Sequence, residues 1–159
     1  MGNVMLVGIP GSGKSTVAKQ LGKQSSVATS VISTDAIREE LYGSESELGT
    51  WGDIEARIKT RLEEANSNGS LVIYDATNYR RGFRGNFLLA ASRYAPQRRW
   101  TCLVMDTPLE ECLERNARRE RQVPEFVIKK MSGVLEREFP SHDEGFETII
   151  KFSSLCLPL

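Results

Sequence analysis

Gly8-Ile9-Pro10-Gly11-Ser12-Gly13-Lys14-Ser15 is the stretch on which the reading of this chain turns. It matches GxxxxGK[ST], and its setting matters as much as its letters. The apolar run Asn3 to Val7 leads into it, and a helical pattern follows from Lys14 to about Gln20. Strand, glycine-rich loop and helix, in that order, is the context in which this motif works. Glycines let backbone N–H groups converge on phosphate, the following helix directs its positive end at the same point, and the Lys14 ammonium bridges the β- and γ-phosphates. Gly8, Pro10, Gly11, Ser12, Gly13, Lys14, Ser15 and Thr16 are therefore the expected nucleotide contacts, with the Ser15 hydroxyl a ligand of Mg²⁺.

Outward from the loop, the same alternation repeats. Val31 and Ile32 form a strand stub ending at Ser33-Thr34-Asp35, and Ile37 and Leu41 mark a short helix halted by Gly43. After a polar loop from Gly43 to Gly52, the spacing of Ile54, Ile58, Leu62 and Ala65 puts one apolar stripe on a long helix that stops at Asn66 to Gly69. Leu71 to Tyr74 reads as a third strand. Phe83, Phe87, Ala90 or Ala91 and Tyr94 share one face of a helix, and Trp100 to Met105 is a fourth strand covered on both sides. Thr107 as N-cap, Pro108 at the first helical position and Glu110 as the capping-box acid predict the next helix start. Pro124 opens a helix with Val127, Met131 and Leu135 inward, and Phe146 to Phe152 is the last strand. Strands alternating with helices specify a three-layer α/β sandwich with a mostly parallel five-stranded sheet. Residues 1–159 read as one domain, without linker, repeat or low-complexity tract.

Composition narrows the function classes. Lys+Arg at 21 against Asp+Glu at 21 gives zero formal charge, which argues against a protein that coats nucleic acid. The distribution is uneven: ten arginines, no lysine and five acids lie between Arg80 and Arg121. Such an excess suits a phosphate-rich ligand or a solvated helix face. Cys102, Cys112 and Cys156 form no CxxC pair and His142 is the only histidine, so neither a disulfide framework nor a zinc site is supported. Cys102 and Cys112 sit in apolar patterns typical of buried thiols, His142 reads as an exposed loop residue, and Trp51 and Trp100 as packing residues. With no apolar run near the ~18 residues of a membrane span and no signal-peptide pattern, a soluble cytoplasmic protein is expected, in a reducing compartment.

The acids and arginines then point to phosphoryl transfer. Asp75 closes the third apolar run and can bring a carboxylate to Mg²⁺ or cap a turn. Asp35 follows the second strand at the carboxyl edge of the sheet, where a carboxylate can accept the proton of an attacking hydroxyl. Arg38, one turn on, can bind an acceptor phosphate or pair with Asp35. Arg115, Arg118, Arg119 and Arg121 surround a break between helices, the pattern of a lid that closes over phosphates. A guanine-specific GTPase would carry an NKxD motif, which is lacking, and a motor or AAA-type ATPase would be longer.

Gly8 to Thr16 (GIPGSGKST), Ser33 to Arg38 (STDAIR), Asp75 to Asn78 (DATN) and Arg115 to Pro124 (RNARRERQVP) resemble the kinase domain of 5′-hydroxyl polynucleotide kinases. These belong to a wider group of P-loop kinases with zeta toxins and seryl-tRNA kinases. The resemblance implies Asp35 as general base toward the 5′-OH, Arg38 on the acceptor's phosphate, Arg119 on the transferring phosphate and Arg115 near the nucleotide. It further implies that Asp75, Thr77 and Asn78 border the acceptor, that ATP and Mg²⁺ are used, and that a nucleic-acid end is the partner. DATN departs from the family in placing Ala76 between the acid and Thr77. Arg80, Arg81 and Arg84, at a helix start, would on this reading track the incoming strand. The alternatives are a zeta-toxin-like kinase of a small molecule or nucleotide sugar, and an ATP-binding module with little catalysis.

Overall fold

The computed structural model describes residues 2–153, so Cys156 lies outside the described residues. Five strands, β1 (Asn3–Val7), β2 (Thr29–Ser33), β3 (Leu71–Asp75), β4 (Trp100–Met105) and β5 (Thr148–Phe152), form one sheet in the order β2-β3-β1-β4-β5. Every pairing is parallel, where the sequence reading allowed a mostly parallel sheet. Parallel strands need crossovers, and the helices α1 (Lys14–Gln24), α2 (Thr34–Tyr42), α3 (Trp51–Asn68), α4 (Arg81–Tyr94), α5 (Leu109–Ala117) and α6 (Glu125–Arg137) supply them. This is the P-loop NTPase fold.

Alternation along the central strand builds two cores. Met5 and Val7 face Ile58, Leu62 and Phe87 on one side, while Val4 and Leu6 face Val17 and Ala18 of α1 on the other. Ile58 and Leu62 are fully buried, and each such side chain stabilises the fold by roughly 1.5–3 kcal/mol as an upper figure. A third, smaller cluster of Ile9, Cys112 and Ile128 lies between the phosphate loop, α5 and α6. Trp100 packs edge-on against Phe87, as a core residue should.

Several element ends moved. α1 runs to Gln24 rather than Gln20, Trp51 already belongs to α3, and the last strand begins at Thr148. Thr50 explains the α3 start: its Oγ1 accepts from the Asp53 N–H. The expected box at α5 does not form. Pro108 is the N-cap, without a side-chain cap bond, because the Thr107 hydroxyl donates instead to the Ser12 carbonyl at 2.9 Å. On α6 the fully covered residues are Ile128 and Val134, with Met131 and Leu135 partly buried beside them and Val127 only half-buried. On α4 the inward stripe is Arg84, Phe87 and Ala91, and Phe83 is exposed. The expected stripe holds at Phe87, Ala90, Ala91 and Tyr94 and fails only at its first position, where Arg84 rather than Phe83 enters the core.

No helix among the described residues is long and apolar enough to cross a membrane.

Candidate active site

β1 sits between β3 and β4, and the chain leaves β1 for the edge strand β2. A crevice opens where connections diverge in this way, outside the carboxyl ends of the strands. Register places Ser33 of β2 and Leu6 of β1 level with Asp75 of β3, so the helix starts that carry Asp35 and Lys14 emerge at the same sheet edge as Asp75.

The phosphate loop is shaped by its glycines. Gly11 has φ +83°, and a Cβ there would lie 2.3 Å from the Cys112 carbonyl oxygen. Gly13, the N-cap of α1, has φ +94°. The loop is tied at its start by Gly8 N–H donating to the Thr77 carbonyl at 2.9 Å. The Lys14 ammonium donates to the Ile9 carbonyl at 3.2 Å, curled over the loop's own backbone. Burial pulls the Lys14 ammonium below its ordinary range, nearby Asp75 and Asp35 oppose this, and Arg119 adds to it. The Ser12 hydroxyl is buried without a hydrogen-bond partner among the described residues. An orphaned hydroxyl and a glycine-lined cradle fit a phosphate group. The Ser15 hydroxyl donates to Asp75 Oδ2 at 2.9 Å, and this pair of hard oxygen donors fits Mg²⁺. Thr16 is exposed on the first turn of α1.

Two adjoining cavities share this edge. The first, about 540 Å³, is lined by Gly11, Lys14, Ser15, Asp35, Asp75 and Arg119. The second, about 700 Å³, is walled by Trp51, Tyr74, Tyr79, Phe83, Pro124 and Met131. Asp35 and Thr77 border both. Asp35 lies in the first turn of α2, which Ser33 caps by accepting from the Ala36 N–H. Its side chain is 64% exposed, and Arg38 Nη1 donates to its Oδ1 at 3.0 Å. Of the two roles open to Arg38, the geometry shows pairing with the acid. Trp51 packs on the main core and also faces the second cavity, so it is more than the packing residue expected. Tyr74 stacks on Phe87 at 3.6 Å between ring centroids, and burial pushes its phenol well up.

The segment between α5 and α6 is held at its base by Asn116, which donates to the Val123 carbonyl at 2.8 Å and accepts from the Val123 N–H at 3.0 Å. Arg119 projects from this loop into the first cavity. Arg115 pairs with Glu111 and donates to the Gly11 carbonyl at 3.4 Å, so it braces the phosphate loop. Arg121 pairs with Glu45 of the α2–α3 connection, joining the two sides of the cavity mouth.

The expectation for two of the arginines after Asn78 needs correction. Arg84 is fully buried and Arg81 is paired to Asp143 at 2.7 Å, so neither is placed to track a polyanion; their charge is consumed by acids brought from the far end of the chain. Arg80 differs from them. It has no acidic partner among the described residues, and its guanidinium lies 5.6 and 5.9 Å from the Tyr79 and Phe83 ring centres. Asn78 borders the second cavity and is itself buried, its Nδ2 donating to the Leu6 carbonyl at 2.7 Å so that the amide holds the loop. Cys102 and Cys112 are buried free thiols, with Cys102 pushed up to about 12 by burial, and His142 is exposed in a short 3₁₀ turn (His142–Glu144).

A family model described as AAA domain matches residues 4–138. A comparison with curated proteins finds no match. A chain of the Pnkp1/Rnl/Hen1 RNA repair complex is similar at 23% identity and TM-score 0.72, over 85% of this chain and 44% of that one. A chain of a second Pnkp1/Rnl/Hen1 complex structure is similar at 25% identity and TM-score 0.60, over 76% of this chain and 40% of that one. This chain therefore spans less than half the length of either. A gluconokinase from Sinorhizobium meliloti 1021 is similar at 18% identity and TM-score 0.58, over 99% of this chain and 84% of that one.

Proposed function

From a chain that belongs to the AAA domain family, we propose an ATP-dependent kinase that phosphorylates a hydroxyl, specifically the 5′-OH end of a nucleic acid. The observation that carries the reading is the position of Asp35, an exposed carboxylate on the wall common to a phosphate cradle and an aromatic cavity. A base at that junction meets an acceptor hydroxyl on one side and a γ-phosphate on the other. Trp51, Tyr79 and Phe83 line the cavity with aromatic surface suited to a terminal nucleobase, and base–aromatic stacking contributes roughly 1–3 kcal/mol per base. Similarity to chains of an RNA repair complex supports the same acceptor.

The geometry supports the following roles. Lys14 and the loop backbone hold the β- and γ-phosphates, and Arg115 keeps Gly11 in place. Ser15 and Asp75 would hold Mg²⁺, whose charge offsets that of the phosphates. Arg38 orients Asp35, leaving Oδ2 free to take the acceptor proton as the hydroxyl oxygen attacks. Arg119 meets the charge that develops on the phosphoryl group. Thr77 and Asn78 shape the wall behind the acceptor.

The test is transfer of labelled γ-phosphate from ATP with Mg²⁺ to oligonucleotides ending in 5′-OH or 5′-phosphate, beside nucleosides and sugars. Only the 5′-OH oligonucleotides are expected to label. Their apparent affinity should fall steeply with salt, and Arg80→Ala should reduce the log–log slope by about one, the share of a single phosphate contact. Binding of ATP with no acceptor turnover would leave a binding module.

A second reading has its own support. The charges lining the aromatic cavity are paired, Asp35 with Arg38 and Glu45 with Arg121, which suits a neutral small acceptor, and the gluconokinase likeness spans nearly the whole chain. Labelling confined to small acceptors, insensitive to salt, would move the function there with the same catalytic residues.

A further inference from the structure

Arg84 is the largest fully buried side chain among the described residues, and its side chain keeps 0% of its surface against 3% for its counter-ion Glu144. Its Nε and Nη2 reach the two Glu144 oxygens at 2.7 and 2.8 Å, a bidentate pair. Nη2 also donates to the Glu138 carbonyl at 2.6 Å, and Nη1 to the Asn78 carbonyl at 3.0 Å. One guanidinium thus ties the stretch around Asn78 to Glu138 and Glu144, some sixty positions further along the chain.

Two of these stretches are walls of the aromatic cavity. Asn78 ends the Ala76–Asn78 wall and has φ +51°, the only positive φ of a non-glycine residue among those described. That conformation is sparsely populated and persists when its surroundings over-determine it. Here the carbonyl is held by Arg84 and the side chain by Leu6. Glu138 is the C-cap of α6, the helix whose Met131, with Pro124 just before it, lines the opposite wall. Glu138 is held a second time, its carboxylate accepting from the Arg81 N–H at 2.8 Å. Among the described residues, the phosphate loop bonds toward this cluster only through the neighbouring Thr77 carbonyl.

We propose that Arg84, with Glu144 as counter-ion, is a positioning residue for the acceptor: a single buried guanidinium sets the spacing between the post-β3 wall and α6, and so the width of the aromatic cavity. This rests on the kinase reading above. Lysine in its place keeps the charge but offers neither the bidentate pair nor the fixed fork, so both carbonyls lose their common donor.

The experiment compares Arg84→Lys and Glu144→Gln with the parent chain, each first checked by circular dichroism; Glu144→Gln keeps the shape of the side chain, so it tests the cluster if the lysine variant does not fold. KM for a 5′-OH oligonucleotide should rise about tenfold while KM for ATP stays within twofold. Backbone amides of residues 76–80 and 138–144 should exchange hydrogen at least tenfold faster, with residues 11–15 unchanged. A residue that only stabilises the fold would lower the melting temperature and leave the ratio of the two KM values alone. An acceptor KM within twofold of the parent, or a parallel rise in KM for ATP, overturns the proposal. If the parent chain labels no acceptor, the kinase reading falls by itself. The exchange comparison still decides the role of Arg84, and unchanged exchange at 76–80 rejects it.

Discussion

Replacing Asp35 with Asn is expected to cut phosphoryl transfer by about 10²–10⁴-fold, the usual span for loss of a positioned general base. The amide keeps the size of the carboxylate but cannot take a proton. Because the Asp35 side chain is 64% exposed and held only by Arg38, the substitution strands no buried partner and the fold should be undisturbed. ATP affinity should stay within about threefold, since phosphate would be held by the loop backbone and Lys14, with the Asp35 carboxylate only on the wall of the same cavity. Single-turnover transfer measured beside equilibrium nucleotide binding separates the two quantities. Transfer at the parental rate would remove Asp35 from the mechanism, whereas parallel loss of binding and transfer would make it a part of the cradle.

Arg119→Ala should lower kcat by about 10³-fold, the lower end of what an arginine supplied to a transferring phosphoryl group contributes. Arg119 lines the same cavity as Lys14, and its charge helps to draw the Lys14 ammonium down, so the two cations lie near enough to share one anion. Neither has an acidic partner among the described residues, unlike Arg115 and Arg121. On the kinase reading, the transferring phosphoryl group would be the anion that both cations meet. Arg119→Lys should recover part of the loss, because a point charge remains but the planar fork does not. KM for ATP should change by only a few fold if the interaction strengthens in the transition state. A variant whose loss lies wholly in KM would place Arg119 in ground-state nucleotide binding instead.

The glycine-rich loop between β1 and α1 was readable because its chemistry is local: strand, turn and helix are contiguous, and each glycine answers a demand of the backbone beside it. The apolar stripe of α3 was readable for a similar reason, since a period of three to four residues states which face is buried without reference to the partner. α4 shows where that logic stops. Phe83, Phe87 and Tyr94 drew the stripe through the aromatic residues, yet Arg84, Phe87 and Ala91 share the same helical spacing. Periodicity could have admitted the arginine. What it could not supply was Glu144, sixty positions away, whose carboxylate makes burial of that charge tolerable.

The candidate site divides in the same way. Lys14, Ser15 and Asp75 could be assigned from motif and strand end, and the structure brings the Ser15 hydroxyl to the Asp75 carboxylate as neighbouring strands of a parallel sheet dictate. The aromatic cavity had no such signature. Trp51, Tyr79, Phe83 and Met131 come from α3, the loop after β3, α4 and α6, and no spacing links them. The sequence by itself determined the order of strands and helices, the phosphate loop and the acids at the carboxyl edge, because these depend on hydrophobic period and on backbone chemistry within a few residues. Only the tertiary structure decided which arginines remain free for a ligand and which are spent on the fold. A cation's role depends on whether an acid distant in sequence is folded against it: Arg84 is paired in the core, Arg81 and Arg121 are paired at the surface, and Arg119 is left open to the cavity.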